Sequence, residues 1–454
     1  MNSQMAWWIV DQLVQQGVSC FCLAPGSRST PLALAAAHHR KAQIHVHYDE
    51  RGLGFFALGA AKAKGAATAV IVTSGTAVGN LLPAVMEAYH SHVPLILLTA
   101  DRPPELIQTG ANQTCDQLKL FTHFVRGHVH LPAADSQVTE NYVRSCLAHA
   151  VCSTVEDPGP FHINWHIRDP LFTPPFPSLP EGNPIETASS KKIPCEPTYL
   201  SGLGAIVIGK LPHNGDVGPV LELAKKLRWP VFADILSQAR FQMTEEQILH
   251  FDRLLQNEPL TAETIIHFGE RITAKSILGW KAKAHHIHVS PWKELQDPSR
   301  CLTKRVLADI TAFCASAVIE PAPESWLASW KEKDTIEKNS PVDGQQLAFQ
   351  TLASSFQPNW SLYLGSSMPI RNADRFFFPS SKSFKGRIFS NRGLSGIDGN
   401  IACAAGLTEG LDGPLIAWIG DQAAIYDLNS LPLLLCTKHP VILVISNNFG
   451  GGIF

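Results

Sequence analysis

No run of apolar residues in this 454-residue sequence reaches the ~18 positions needed to span a bilayer, so no membrane-spanning helix is expected. A secretory leader is not expected either. The first residues, MNSQMAWWIVDQLVQQG, lack a positive leading region and carry Asp11 inside the apolar stretch, so they read as an amphipathic first helix. An excess of one charge is also missing. Lys and Arg number 37 against 39 Asp and Glu, a formal net charge of −2. That argues against a nucleic-acid footprint or a polybasic membrane anchor and leaves any cationic function to local clusters. The ten cysteines include no C-x-x-C pair, and Cys20 and Cys22 share one face of an expected strand. The sequence therefore predicts reduced core thiols in a cytoplasmic protein rather than disulfides or zinc ligands. The G-x-G-x-x-G loop of a nicotinamide-dependent oxidoreductase is absent too, since GLGAIVIG has the wrong spacing.

What is present is a globular composition, 45% hydrophobic and 17% charged, with length for about three domains at roughly 150 residues each. Residues 1–180 alternate helical patterns with the short apolar runs VSCFCLA, QIHVHY, ATAVIVTS, PLILLTA and FHINW. Runs of that length separated by helices predict a parallel sheet covered on both faces. A Pro/Ser-rich tract, DPLFTPPFPSLPEGNPIETASSKKIPCEP, reads as a linker. A second alternating block follows over 198–335, with GAIVIG, PVFADI, TIIHFG and HHIHVS as strands. A third over 340–454 carries SLYLGSS, GRIFSN, PLIAWIGD and PVILVISNN. The fold class expected is α/β, three successive parallel-sheet domains.

Open parallel sheets bind ligands beyond the carboxyl ends of their strands. Polar residues and glycines gather at those points in the first and third blocks: 25–29, 49–50, 73–76, 101–105, 366–368, 391–393, 420–421 and 447–452. In the last block one strand ends at Gly420-Asp421, a helix AAIYDLNSLPLLLCTK follows, and the next strand ends at Asn447-Asn448. A carboxylate from Asp421, an amide oxygen from Asn448 and a backbone carbonyl near Gly450 make a hard-oxygen set suited to magnesium, with manganese as a substitute. The glycine run would let a diphosphate approach the backbone. Equally, Asp421 could cap the following helix and the asparagines form a turn.

This GD…NN pattern on strand–helix–strand resembles the diphosphate–magnesium motif of the thiamine-diphosphate enzyme family. The stretches APGSRSTPLALA, YDERGLGF, VTSGTAVGNLLPAVMEA, LLTADRPPEL, GANQ, SNRGLSGIDG and YDLNSL, in that order, are similar to the 2-succinyl-5-enolpyruvyl-6-hydroxy-3-cyclohexene-1-carboxylate synthases within it. The resemblance is close in the first and third blocks and weak in the middle one. It implies a pyrimidine-binding domain, a middle domain and a diphosphate-binding domain, the last incomplete at its C-terminus. It also implies decarboxylation of 2-oxoglutarate and conjugate addition of the succinyl-semialdehyde carbanion to isochorismate in menaquinone biosynthesis. Glu50 would be the catalytic residue, hydrogen-bonding the cofactor's aminopyrimidine so that the exocyclic nitrogen can take the thiazolium proton. Gly75, Ser367, Met368, Ile397, Gly420, Asp421, Gln422, Ala423 and Asn448 would bind thiamine diphosphate. Gln422 departs from the glycine usual in the wider family. Ser27, Arg28, Arg102, Gln113, Lys275, Arg371, Arg392, Ile453 and Phe454 would meet substrate or intermediate.

The arginines suit that chemistry independently, because both acids are dicarboxylates and a guanidinium provides a planar fork for each carboxylate. The resemblance further implies a homodimer or homotetramer with active sites shared between subunits. Rival readings are another thiamine-dependent 2-oxoacid carboligase and a non-catalytic relic of the fold. The histidine pairs in HVHY, HVH and HHIH resemble metal-ligand spacing on a strand, but no nearby carboxylate or cysteine is expected to complete a set, so edge or surface positions are expected and no zinc.

Overall fold

The structure, a computed structural model, describes the chain except for residues 173, 178, 187–192, 213–214, 258–261, 282–283, 339–340, 343, 379–383 and 452–454. Ile453 and Phe454, expected near the substrate, lie outside the described residues. The chain divides into two compact units, Met1–Ser190 with Asn391–Gly452, and Lys191–Ser390. No helix among the described residues is long and apolar enough to cross a membrane. All ten cysteines are free thiols; Cys20, Cys22 and Cys403 are buried, whereas Cys436 is exposed.

In the first unit β1 (Cys20–Leu23), β2 (Gln43–Val46), β3 (Thr68–Val72), β4 (Leu95–Asp101), β5 (Gly127–Leu131) and β6 (Pro160–His166) form one parallel sheet, ordered β2-β1-β3-β4-β6-β5. The α/β expectation holds. Strands β1, β3 and β4 are buried at every position, which is why their sequences are continuous apolar runs. One face packs Phe21, Ile71, Leu98 and Ile163 against Ile9 and Leu13 of the amphipathic first helix, Asn2–Gln15. The chain leaves β1 for β2 on one side and returns to β3 on the other. Strand order therefore switches between β1 and β3, the kind of point beyond whose carboxyl ends open parallel sheets bind ligands. The two strand-end loops meet there, since a Cβ built on Gly26 would lie 2.3 Å from Thr73 Cβ.

The helix Glu50–Lys64 starts at Asp49, whose carboxylate accepts hydrogen bonds from the Arg51 and Gly52 amides at 3.0 and 3.4 Å. Its mid-section packs on the helix Asn400–Leu407, and glycines set the separation. A Cβ on Gly59 would sit 2.2 Å from the Cys403 carbonyl oxygen, and one on Gly406 would sit 2.0 Å from that of Phe56. Asp427, fully buried, accepts from the Ile401 and Ala402 amides at 2.7 and 3.0 Å and so caps the start of that second helix. The single long helix expected after Asp421 is not formed. A short helix, Asp421–Tyr426, is followed by a 3₁₀ segment, Leu428–Cys436. Asp427 turns inward at the break, and Pro432 supplies no amide donor further on. The strands Leu415–Gly420 and Val441–Ser446 pair in parallel, with Gly420 opposite Ser446.

The second unit contains a five-stranded parallel sheet. Its strands are, in order, Lys304–Leu307, His285–Ser290, Thr264–Phe268, Gly204–Ile208 and Val231–Ala233. Apolar clusters cover both faces. The edge-or-surface expectation for HHIH fails here: His286 and His288 are 1% exposed on an interior strand, and only His285 is exposed.

A buried ionic group ties the third-block segment to the first sheet. Glu409 lies 3.4 Å from His45 of β2 and 3.0 Å from Lys438. Burial pushes the Glu409 carboxyl up, but His45 and then Lys438 outweigh it and bring it down to about 2. A carboxyl depressed on folding contributes stability that is fully present above its ordinary value and is lost as pH falls through the depressed one. Glu409→Gln should therefore cost about 1–3 kcal/mol in urea unfolding at pH 7. The difference from wild type should shrink between pH 4.5 and about 2. A difference independent of pH over that window would contradict the ionic role.

Candidate active site

At the β1–β3 switch Ser27 is exposed and Arg28 buried. The Arg28 Nη1 donates to the Ile167 carbonyl at 2.8 Å and to Asp169 at 3.2 Å. Arg102 follows β4, and its carbonyl oxygen accepts from His166 Nδ1 at 2.6 Å. Burial, and after it the positive charge of Arg28, holds the Arg102 guanidinium below its ordinary value, against the pull of Asp169 and Asp101. The Nε atoms of both arginines are buried and make no hydrogen bond within the structure. The two cations are thus in mutual range, each with one buried donor unused, while Asp169 shares the charge of Arg28.

Glu50 is half-buried in the first helical turn, and its Oε2 accepts from the Asn80 amide at 3.0 Å. Asn80 had no sequence signal beyond its place at the end of the TAVGN turn. Gly75 opens the same turn at φ 80°, a backbone that favours glycine, and its amide donates to Gln117 at 3.0 Å. Gln113 is exposed, and its side-chain amide donates to the Ser74 carbonyl at 2.9 Å. Beneath these loops runs a buried polar network. Thr99, Gln117 and Asn164 share hydrogen bonds of 2.8 Å, and the Asn164 amide donates to Asp101 at 2.8 Å. Asp101 in turn accepts from the Arg102 amide at 2.7 Å. Sequence reasoning missed Gln117 and Asn164; for Asn164 the available signal was its place, with His162, inside the buried strand FHINW.

The strand tips carrying the GD and NN motifs do lie together. The Asp421 Oδ2 accepts from the Gly450 amide at 2.8 Å, and Oδ1 from the Gln422 amide at 2.8 Å. Gly420, not Asp421, is the helix cap. Each carboxylate oxygen retains lone-pair capacity for a cation. Asn447 forms the turn, accepting from the Phe449 amide at 2.9 Å, while Asn448 is exposed. Gln422 is exposed with its amide nitrogen near Gly450, and Ala423 is buried. A Cβ built on Gly420 meets nothing within 4 Å, so open space lies beside the motif. A carboxylate, an amide and backbone carbonyls at an open strand end fit a hydrated magnesium ion and a diphosphate.

Loop 390–399, which carries Arg392 and Ile397, is held by Glu87. The Glu87 carboxylate, itself buried, accepts from the Gly393 and Leu394 amides at 2.9 and 2.7 Å and from the Ser91 hydroxyl at 2.7 Å. Lys62 donates to Asn391 at 2.7 Å and lies 3.7 Å from Glu87. Ile397 is 46% exposed, so it is not an ordinary core residue. Sequence reasoning passed over Glu87 and Lys62, both inside apolar helices.

Ser27, Arg28, Glu50, Gly75, Arg102, Gln113, Arg392, Ile397, Gly420, Asp421, Gln422, Ala423, Asn448 and Gly450 thus belong to the first unit, and Lys275, Ser367, Met368 and Arg371 to the second. Lys275 is exposed, immediately before the helix Ser276–Lys281. Ser367 precedes the helix Met368–Phe376 at φ 74°, ψ −130°, close to the 80°, −135° of Gly75. For a serine that backbone is strained, and such outliers cluster at ligand sites. Met368 and Arg371 are half-buried on the same helix.

Comparison with known proteins defines the class first. Residues 4–120 match the thiamine pyrophosphate enzyme N-terminal TPP binding domain, and residues 190–354 match the middle domain of thiamine pyrophosphate enzymes. The particular branch follows from full-length relatives. A 2-succinyl-5-enolpyruvyl-6-hydroxy-3-cyclohexene-1-carboxylate synthase of Shewanella frigidimarina is 35% identical, covering 100% of this chain and 84% of the relative. Synthases of the same name from Aeromonas salmonicida and Chlorobium limicola are 37% and 36% identical, each covering 98% of this chain and 82% of the relative. The chain belongs to the 2-succinyl-5-enolpyruvyl-6-hydroxy-3-cyclohexene-1-carboxylate synthase family of thiamine-diphosphate enzymes.

Glu87→Ala should leave two loop amides without their carboxylate acceptor and remove the anion beside Lys62, costing about 3–5 kcal/mol in denaturant unfolding. A cost below about 1 kcal/mol would show that the loop is held by something else.

Proposed function

We propose that this chain catalyses the thiamine-diphosphate-dependent decarboxylation of 2-oxoglutarate and conjugate addition of the four-carbon fragment to isochorismate. The product is 2-succinyl-5-enolpyruvyl-6-hydroxy-3-cyclohexene-1-carboxylate, within menaquinone biosynthesis. Family membership supports the reaction class. The observation that carries the substrate class is the Arg28–Arg102 pair, whose buried Nε donors lack partners. An acetolactate-type carboligase with small acceptors would not need two neighbouring guanidinium groups, each with a buried Nε donor left free, at these strand ends.

Thiamine diphosphate, when bound, supplies a carbanion nucleophile and an electron sink for the departing carboxylate. The residues have distinct parts to play around it. Glu50, held by Asn80, presents a carboxylate that would hydrogen-bond the aminopyrimidine ring nitrogen of the bound cofactor. Asp421, the Asn448 amide oxygen and a backbone carbonyl near Gly450 hold magnesium, while the glycines leave room for the diphosphate. Gly75, Ser367, Met368, Ile397, Gly420, Gln422 and Ala423 line the cofactor. Arg28, Arg102 and Arg392 orient substrate carboxylates by bidentate hydrogen bonds, with Ser27, Gln113, Lys275 and Arg371 as further contacts.

The three sequence blocks serve as pyrimidine-binding, middle and diphosphate-binding domains. The working form is a cytoplasmic homodimer or homotetramer with sites completed between subunits. The exposed apolar side chains Ile425, Tyr426, Leu428 and Leu435, close after Asp421, support such an assembly.

The test is the coupled assay with 2-oxoglutarate and isochorismate on the purified chain, which should sediment as a dimer or larger. Glu50→Gln should abolish turnover while still giving heat on titration with thiamine diphosphate and magnesium. Arg102→Met should raise the KM for a substrate acid about 10–100-fold with cofactor binding intact. Normal turnover by Glu50→Gln would remove its proton role. No calorimetric heat from wild type would mark a relic of the fold, and turnover only with a small 2-oxoacid acceptor would favour the acetolactate-type reading.

A further inference from the structure

A cluster in the second unit takes no part in the proposed reaction. His286 is 1% exposed on the strand His285–Ser290, and the loop 291–303 carries Asp297 and Cys301 back to it. The Cys301 Sγ lies 3.7 Å from His286 Nδ1 and 3.8 Å from Asp297 Oδ1. One ligand atom from each of the three residues lies within 4.8 Å of the other two. A tetrahedral zinc ion with Zn–S of about 2.3 Å and Zn–N and Zn–O of about 2.0–2.1 Å has S···N and S···O edges of roughly 3.5–3.6 Å. The observed separations are longer than those edges by only about 0.1–0.3 Å.

The loop is organised by the same carboxylate that would ligate. Asp297 accepts from the Cys301 amide at 3.2 Å through Oδ1 and from the Leu302 amide at 2.9 Å through Oδ2. Each oxygen keeps a lone pair, and hydrogen-bonded carboxylates are the rule among metal ligands. Burial pushes the Asp297 carboxyl up, but the Leu302 and Cys301 amides, with the nearby His286, outweigh it and leave it below its ordinary value. It is ionised at neutral pH. A soft thiolate, an imidazole and one carboxylate select zinc-class transition ions over magnesium or calcium.

We infer that His286, Asp297 and Cys301 form a binding site for one zinc-class divalent ion, taken up with release of the Cys301 thiol proton. Three protein ligands leave a fourth position for water. The ion fastens the 291–303 loop to an interior strand and is separate from the hard-oxygen magnesium set at Asp421. The inference shares no residue with the proposed reaction and stands or falls without it.

The test uses the full-length chain stripped with a chelator and titrated with cobalt(II), then zinc. One cobalt per chain should bind with a thiolate-to-cobalt charge-transfer band, which zinc displaces. Asp421→Asn should retain that band and Cys301→Ser should lose it. In wild type, zinc should slow alkylation of Cys301 by iodoacetamide about tenfold or more, read by peptide mass, because a metal-bound thiolate is withdrawn from reaction. Equal alkylation rates with and without zinc would overturn the site, as would a charge-transfer band that survives in Cys301→Ser. The alkylation measurement decides the matter even if the serine variant fails to fold.

Discussion

Two helices approach each other so closely at Gly59 and Gly406 that one added methyl group on either would strike the other's backbone carbonyl. Much of the first unit follows from that constraint. The helix Glu50–Lys64 begins at the carboxylate assigned to the cofactor's pyrimidine, and the helix Asn400–Leu407 is entered through the loop bearing Arg392 and Ile397. Locking the mid-sections together fixes both starting points. It also explains why residues 391–452 form one compact unit with 1–190 rather than with the residues that immediately precede them. Asp427 seals the arrangement by capping the second helix from the segment just after Asp421.

Around this neutral contact the charges are arranged in two ways. Where they are structural they meet opposite charge or donors: Glu409 is ion-paired with His45 and Lys438, and Glu87 is bonded by loop amides and Ser91 and lies beside Lys62. Where the site opens, some donors meet no partner. Arg28 and Arg102 repel each other and keep buried Nε donors without partners. Isolated from ligand, that arrangement costs stability, because buried donors without acceptors forfeit hydration and gain nothing. In the proposed function an anionic substrate would recover that loss, which is the physical sense of preorganisation for carboxylates.

The sequence revealed those parts of the fold in which one residue pattern admits one solution. Both faces of β1, β3 and β4 are covered, so their unbroken apolar runs were readable as parallel strands. The adjacency of Asp421 and Gly450 followed from the strand–helix–strand pattern and is seen as a 2.8 Å hydrogen bond. What escaped depended on contacts distant in sequence. The helix after Asp421 breaks because Asp427 is drawn to amides of residues 401 and 402, which no local pattern announces. His286 gained its carboxylate and thiol neighbours through a loop, so the pair spacing in HHIH looked incomplete. The kinship of Gly75 and Ser367 was likewise hidden, since glycine reaches that backbone freely and serine does so only under strain.

The most direct measurement is hydrogen exchange of the full-length chain, resolved by peptide, before and after saturation with thiamine diphosphate and magnesium. The account predicts that protection rises together at the start of the Glu50 helix and in the turns at 420–423 and 446–451. Protection confined to the Glu50 helix or to the two turns, or absent from all three regions, would contradict the claim that the first and third blocks grip opposite ends of one cofactor.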